Sequence, residues 1–207
     1  MVLTSQIGIQ PNKSAMAKPL EDYALADDRL GIYIVCDGVT RSLIDGRYPE
    51  DSPAAKVAGL FAETVYATLV RERATMSTRS ALRVAITAGN DAIRRFNEAV
   101  IGQPDYLEND LVGTVAIVAV ADDTLLQYAY LGDCCAYSVV GDRLTRLTAP
   151  QTANVAEYRK RAGPAENATL AIRRDFRNNR QSDYGYGVFT GEATALEWVE
   201  WGQHALG

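Results

Sequence analysis

The sequence predicts an α+β sandwich in which helices pack on antiparallel sheets, and three observations carry that prediction. Short strand-like runs open the chain, two amphipathic helices follow, and a meander of apolar runs joined by acidic and glycine turns comes after them. The chain has 207 residues, 47% of them hydrophobic and 23% charged, which is the make-up of one ordinary domain with enough material for a sizeable core. A net charge of -5 gives no general attraction to nucleic acid or to an anionic membrane. With no leader pattern and no apolar run of membrane-spanning length, the expected location is cytoplasmic.

Taken in order, Thr4 to Gln10 alternates weakly and is expected to form an opening strand, with a polar loop from Pro11 to Pro19. Tyr23 to Ala26 forms the next strand, turned by Asp27-Asp28 into the β-branched run that begins at Gly31. If these two strands pair antiparallel, Glu21 and Asp22 at the start of one lie beside Asp37 at the end of the other, and three acids gather at one rim. Ser52-Pro53 is a helix start, with Val57, Phe61, Val65 and Leu69 at intervals of four, and this helix runs to about Arg73. A second helix follows Ser77 with Leu82, Ala85, Ile86, Ile93 and Phe96 on one side, leaving Arg79, Arg83, Arg94 and Arg95 to face solvent.

Gly102 to Asn109 reads as the exit loop. Val112 to Ala121 is apolar throughout, as in a central strand covered on both faces. Leu125 to Leu131 returns after Asp122-Asp123, Gly132-Asp133 interrupts, Cys134 to Val140 continues, and Gly141-Asp142 turns into Arg143 to Leu147. Gln151 to Gly163 reads as a polar helix, and Asn167 to Gln181, rich in Arg and Asn, as a solvated loop. Tyr186 to Gly191 and an aromatic stretch with Trp198 and Trp201 close the chain.

The chemistry-bearing residues are few. Cys36, Cys134 and Cys135 are odd in number and have no Cys-x-x-Cys spacing, so they are read as packed thiols. His204, the sole histidine, has no Ser or Cys motif near it to make a triad. Asp37-Gly38 stands out because the strand-forming run Ile32 to Val35 carries a carboxylate to its end. A buried carboxylate needs a partner, and a hard divalent cation would supply one, with the Gly38 carbonyl as a further donor. An Asp-Gly turn that merely ends a strand is the other reading.

Read together, the acidic motifs resemble a known family. Glu21-Asp22, Val35-Cys36-Asp37-Gly38 at a strand end, Gly113-Thr114 opening an apolar strand and Leu131-Gly132-Asp133 before another strand are similar to the ordered motifs of the metal-dependent protein phosphatases of type 2C, the PPM type. Tyr186 to Glu192 is similar to a later segment of bacterial members.

The resemblance implies a four-layer α-β-β-α sandwich of two mainly antiparallel sheets flanked by helices, with a binuclear Mn2+ or Mg2+ site at one rim. It implies that Asp37 bridges two cations, that Gly38 lends its carbonyl, that Glu21 and Asp22 order bound waters, and that Asp133 helps hold a weaker third ion. The implied activity is hydrolysis of phosphoserine and phosphothreonine monoesters by a metal-activated water, with a phosphoprotein substrate and a cognate kinase as partners. The alternative is a noncatalytic regulatory or phosphoprotein-binding module of the same fold.

This sequence departs from the family pattern at three places. The histidine common after Asp-Gly is absent from Asp37-Gly38-Val39-Thr40-Arg41, and the phosphate-binding arginine is out of register, leaving Lys18 and Arg41 as the substitutes for substrate binding. The later Asp-Gly and Asp-Asn motifs that complete the metal site have no counterpart, so residues 1–207 are expected to form a single domain incomplete at its C-terminus. The enzyme reading therefore attaches to the complete domain.

Overall fold

The structure is a computed structural model that describes residues 3–10, 19–39, 52–105, 111–149, 151–154, 157 and 176–206. Strand β1 (Asp22–Asp27) turns through residues 28–31 into β2 (Ile32–Val39), and helices α1 (Pro53–Glu72) and α2 (Thr78–Ile101) follow. Strands β3 (Gly113–Ala121), β4 (Leu125–Leu131), β5 (Tyr137–Val140) and β6 (Arg143–Arg146) come next, and a 3-10 helix (Ala193–Trp198) leads into β7 (Glu200–Ala205). Five strands form an antiparallel sheet in the order β1-β2-β3-β4-β7, and β5 pairs with β6 in a second sheet. Two antiparallel sheets with helices are the α+β layering that the sequence predicts.

Both helices begin where their caps dictate. Ser52 and Ser77 are extended, and their hydroxyl oxygens accept from the amides of Ala55 and Ser80. Helix α1 packs on β1, β2 and β3, and α2 packs on α1, β3 and β4, so both cover the same face of the large sheet. Strand alternation sends Ile32, Ile34 and Cys36 of β2 into that interface, where they meet Val57, Phe61, Val65 and Leu69 of α1 and Leu82, Ile86 and Ile93 of α2. Phe61 stacks on Phe189 with ring centroids 4.6 Å apart. The other face holds a smaller cluster of Ile117, Tyr128 and Tyr130.

Strand β3 is buried along almost its whole length, which is why its sequence does not alternate. Gly132 ends β4 at φ 91°, where a Cβ would lie 2.3 Å from Val115 Cγ1. The expected meander therefore leaves the large sheet at this residue, and β5 and β6 form a separate hairpin.

Three expectations differ from what is observed. Residues 3–10 form no strand: Ile7 and Ile9 are 50% and 43% exposed, so pairing there would bury no apolar face, and the amide of Ser5 instead reaches Asp28 Oδ2 at 2.9 Å. The run from Cys134 becomes a strand only at Tyr137. In the stretch expected to be a solvated loop, Phe176, Arg177 and Asn178 are buried. The polar helix expected from Gln151 is helical at Ala153, Asn154 and Glu157, and most of its remainder lies outside the described residues. Among the described residues no helix is long and apolar enough to cross a membrane.

Candidate functional site

Asp22 and Asp37 are direct cross-strand partners in the β1–β2 ladder. Cβ atoms of such partners lie about 4.5–5.5 Å apart, and two like charges in that position repel. Cys36 points into the helix interface, so by alternation Asp22 and Asp37 project from the opposite face, the first exposed and the second half-buried.

Glu21 projects to the other side. It is 3% exposed, and its Oε1 accepts the hydroxyl of Ser52 at 2.6 Å. Ser52 is the N-cap of α1, so Glu21 is tied to the start of that helix. All three acids share one end of the sheet, but the carboxylate of Glu21 is separated from those of Asp22 and Asp37 by the sheet itself.

Gly38 does not turn the chain. Strand β2 continues through Val39, with Gly38 opposite Thr114 and its amide donating to Glu21 O at 3.1 Å. A Cβ on Gly38 would lie 2.6 Å from Ala54 O, so glycine is needed here because the first turn of α1 lies directly against the strand.

Thr114 binds the pieces together. Fully buried, it donates from Oγ1 to Asp37 O at 2.8 Å and exchanges backbone hydrogen bonds of 3.0 and 2.9 Å with Phe189. The Tyr186 to Gly191 segment thus takes the place beside β3 that β4 leaves when it ends, and it anchors the backbone under Asp37. Asn90 and Asn97 of α2 hold the same segment: Asn90 donates to Glu192 O and accepts from the Gly191 amide, and Asn97 donates to Val112 O and Thr190 O. Arg177 pairs with Glu192 at 3.4 Å, with side chains 1% and 11% exposed. Sequence reading missed these residues, although Asn90 and Asn97 sit seven apart on the apolar side of α2, a spacing that marks buried polar groups.

Asp133 is exposed just after Gly132. The Cys134 thiol is pushed well up, first by burial and then by its electrostatic interaction with Asp133, Asp37, Cys135 and Asp22. Burial, followed by Cys134 and Asp37, likewise raises Cys36, and both thiols stay protonated at neutral pH.

The donor set tests whether a hard cation fits. Asp22 and Asp37 offer carboxylate oxygens and two repelling charges that a divalent ion would neutralise, and to that extent the residues fit one such ion. Among the described residues no three His, Cys, Asp or Glu side chains are gathered to hold a metal. Lys18 and Arg41 lie outside the described residues.

No family model matches the chain, and no curated protein matches it. Solved structures do. The serine/threonine phosphatase PstP/Ppp of Mycobacterium tuberculosis is 18% identical, with 90% of this chain and 67% of that one covered and a TM-score of 0.59. A second structure, of the PstP catalytic domain in complex with two manganese ions, is also 18% identical, with coverage of 90% and 66% and a TM-score of 0.58. Stp1 of Staphylococcus aureus is 13% identical, with coverage of 90% and 65% and a TM-score of 0.52. The chain spans about two thirds of the length of these domains. It has the fold of the PPM-type serine/threonine phosphatases.

Proposed function

We propose, starting from the fold shared with PPM-type phosphatases, that this chain carries part of a metal-dependent protein serine/threonine phosphatase site. The observation that carries the reading is the opposed carboxylate pair Asp22 and Asp37 at one end of the sheet. Asp37 and Asp22 would hold a Mn2+ or Mg2+ ion, with Asp133 and the Gly38 carbonyl as further oxygen donors. When bound, such an ion supplies positive charge to a phosphoryl oxygen and makes water acidic enough to act as a nucleophile near neutral pH.

The chain's own residues do the positioning. Thr114 fixes the backbone of Asp37, and Glu21 with Ser52 fixes the start of α1 against Gly38. The substrate in this reading is a phosphoserine or phosphothreonine side chain of a cytoplasmic phosphoprotein, delivered by a cognate kinase, with Lys18 and Arg41 as the candidate phosphate contacts.

A second reading is a noncatalytic phosphoprotein-binding module. It is favoured by the placement of Glu21 away from the aspartate pair and by the lack of a third gathered ligand among the described residues. Hydrolysis of p-nitrophenyl phosphate and of a phosphothreonine peptide, with Mn2+, with Mg2+ and with chelator, separates the two. Mn2+-stimulated turnover that disappears in Asp37→Asn supports the phosphatase. No turnover with either ion, together with retained phosphopeptide binding, supports the module.

A further inference from the structure

The ladder between β4 and β7 closes with Tyr130 opposite Glu200, and two steps further in the same register Gly132 stands opposite Trp198. There the side chain of Gln151 takes the place of a rung. Its Oε1 accepts the amide of Gly132 at 2.6 Å, and its Nε2 donates to the carbonyl of Trp198 at 2.9 Å. The orientation is forced, because a backbone N–H can only donate and a carbonyl can only accept. A carboxamide carries the acceptor and donor of a peptide group, so one side chain supplies what each strand would ask of the other while holding the two apart. The segment that delivers Gln151 is itself tied to β4: the hydroxyl of Tyr128 donates to Leu147 O at 2.7 Å, and the amide of Ala149 donates to the hydroxyl of Tyr130 at 2.8 Å.

The residue so held has a particular place in the sheet. Asp22 faces Asp37, Asp37 faces Val115, and the β3–β4 register carried one step past Ala116 and Leu131 sets Val115 beside Gly132. The approach is close, since a Cβ on Gly132 would lie 2.3 Å from Val115 Cγ1. Gly132 is therefore in the cross-strand row that begins with the aspartate pair, two strands from Asp37 and about 10 Å from it at the usual strand spacing. Asp133 follows directly, at a backbone that turns through φ 91° at Gly132. The direction in which the chain leaves Gly132 sets where the next carboxylate goes, and the Gln151 bond fixes that direction.

We propose that Gln151 is a positioning residue, which holds the turn at Gly132 so that Asp133 adds its carboxylate to the donor set of Asp22 and Asp37. The role rests on the divalent-ion reading of the aspartate pair, and Gln151 touches neither ion nor substrate.

The test has a metal-free and a metal-bound arm, both on the full chain. In chelator, amide hydrogen exchange followed by NMR should show Gly132 protected in the wild type. Exchange should be about tenfold faster in Gln151→Met, which keeps the length of the side chain and removes both bonds. Gln151→Glu keeps the acceptor toward Gly132 and should retain most of the protection. Mn2+ dissociation constants from isothermal titration calorimetry then close a double-mutant cycle. Gln151→Met should weaken Mn2+ about tenfold, the low end for a residue that supports a metal ligand, and Asp133→Ala at least as much. In the Asp133→Ala background Gln151→Met should add less than about twofold, because the residue it acts through is gone. Far-UV circular dichroism checks each variant's fold. The positioning role alone is overturned if Gly132 exchange is unchanged in Gln151→Met, if Asp133→Ala or Gln151→Met binds Mn2+ as tightly as the wild type, or if Gln151→Met weakens Mn2+ equally with and without Asp133. If the wild type binds no Mn2+, or binds it equally well in Asp37→Asn, the divalent-ion reading falls and the positioning role falls with it.

Discussion

The hydroxyl of Ser52 donates to Glu21 Oε1 at 2.6 Å while its oxygen accepts from the amide of Ala55, so one side chain both caps α1 and fixes the acid that precedes β1. Ser52→Ala removes the cap, worth about 1 kcal/mol, and withdraws a donor from a buried carboxylate, worth about as much again. We expect a total loss of about 2 kcal/mol by urea unfolding. Ser52→Thr should recover most of it, because the hydroxyl is retained.

The opposed aspartates predict metal-linked stability. Mn2+ in hundredfold excess over its dissociation constant should stabilise the wild type by about 2.7 kcal/mol. Differential scanning fluorimetry should show this as a rise in melting temperature that is abolished in Asp37→Asn and Asp22→Asn and unchanged in Arg95→Gln. A full rise in Asp37→Asn would remove that residue from the site.

The Arg177–Glu192 pair sits beneath the segment that braces Asp37. Glu192 Oε2 also accepts from Thr190 Oγ1 at 2.7 Å and from Asn178 Nδ2. Breaking a buried pair by removing one partner costs about 3–5 kcal/mol. Glu192→Ala should therefore be among the most destabilising single changes in the chain, and chemical denaturation would measure it.

The hydroxyl of Tyr66 donates to Asp27 Oδ2 at 2.8 Å, and this bond, with the Leu30 amide, lowers the carboxyl below its ordinary 3.8. A depressed carboxyl stabilises the fold above its unfolded value and loses that contribution as pH falls through the folded value. Tyr66→Phe should melt below the wild type at neutral pH. The gap should narrow as pH falls below about 3.8 and close once pH is below the lowered folded value, where Asp27 is protonated in both proteins. A gap that persists at pH 2 would trace to packing instead.

Much of the fold was legible in residue order. Ser52-Pro53 and Ser77 mark both helix starts, the apolar residues of α1 recur at intervals of four, and the unbroken apolar run of β3 marks a strand covered on both sides. Those signals are local, arising from caps, turns and periodicity within a few residues. The Arg and Asn content of residues 176–181 misled for the opposite reason. Asn178 is buried with hydrogen bonds to Val188, Thr190 and Glu192, and Arg177 is buried against the carboxylate of Glu192, partners that are 10 to 15 positions away.

By itself, the sequence established which residues would be strand ends and helix starts, and hence that Glu21, Asp22 and Asp37 would come to one end of a sheet. Only the tertiary structure decided which way each side chain points. Because strand side chains alternate, the antiparallel register that sets Asp22 against Asp37 also sends Glu21 to the helix side. Gly38 likewise shows its reason only in three dimensions, where the first turn of α1 crosses the strand and leaves no room for a Cβ.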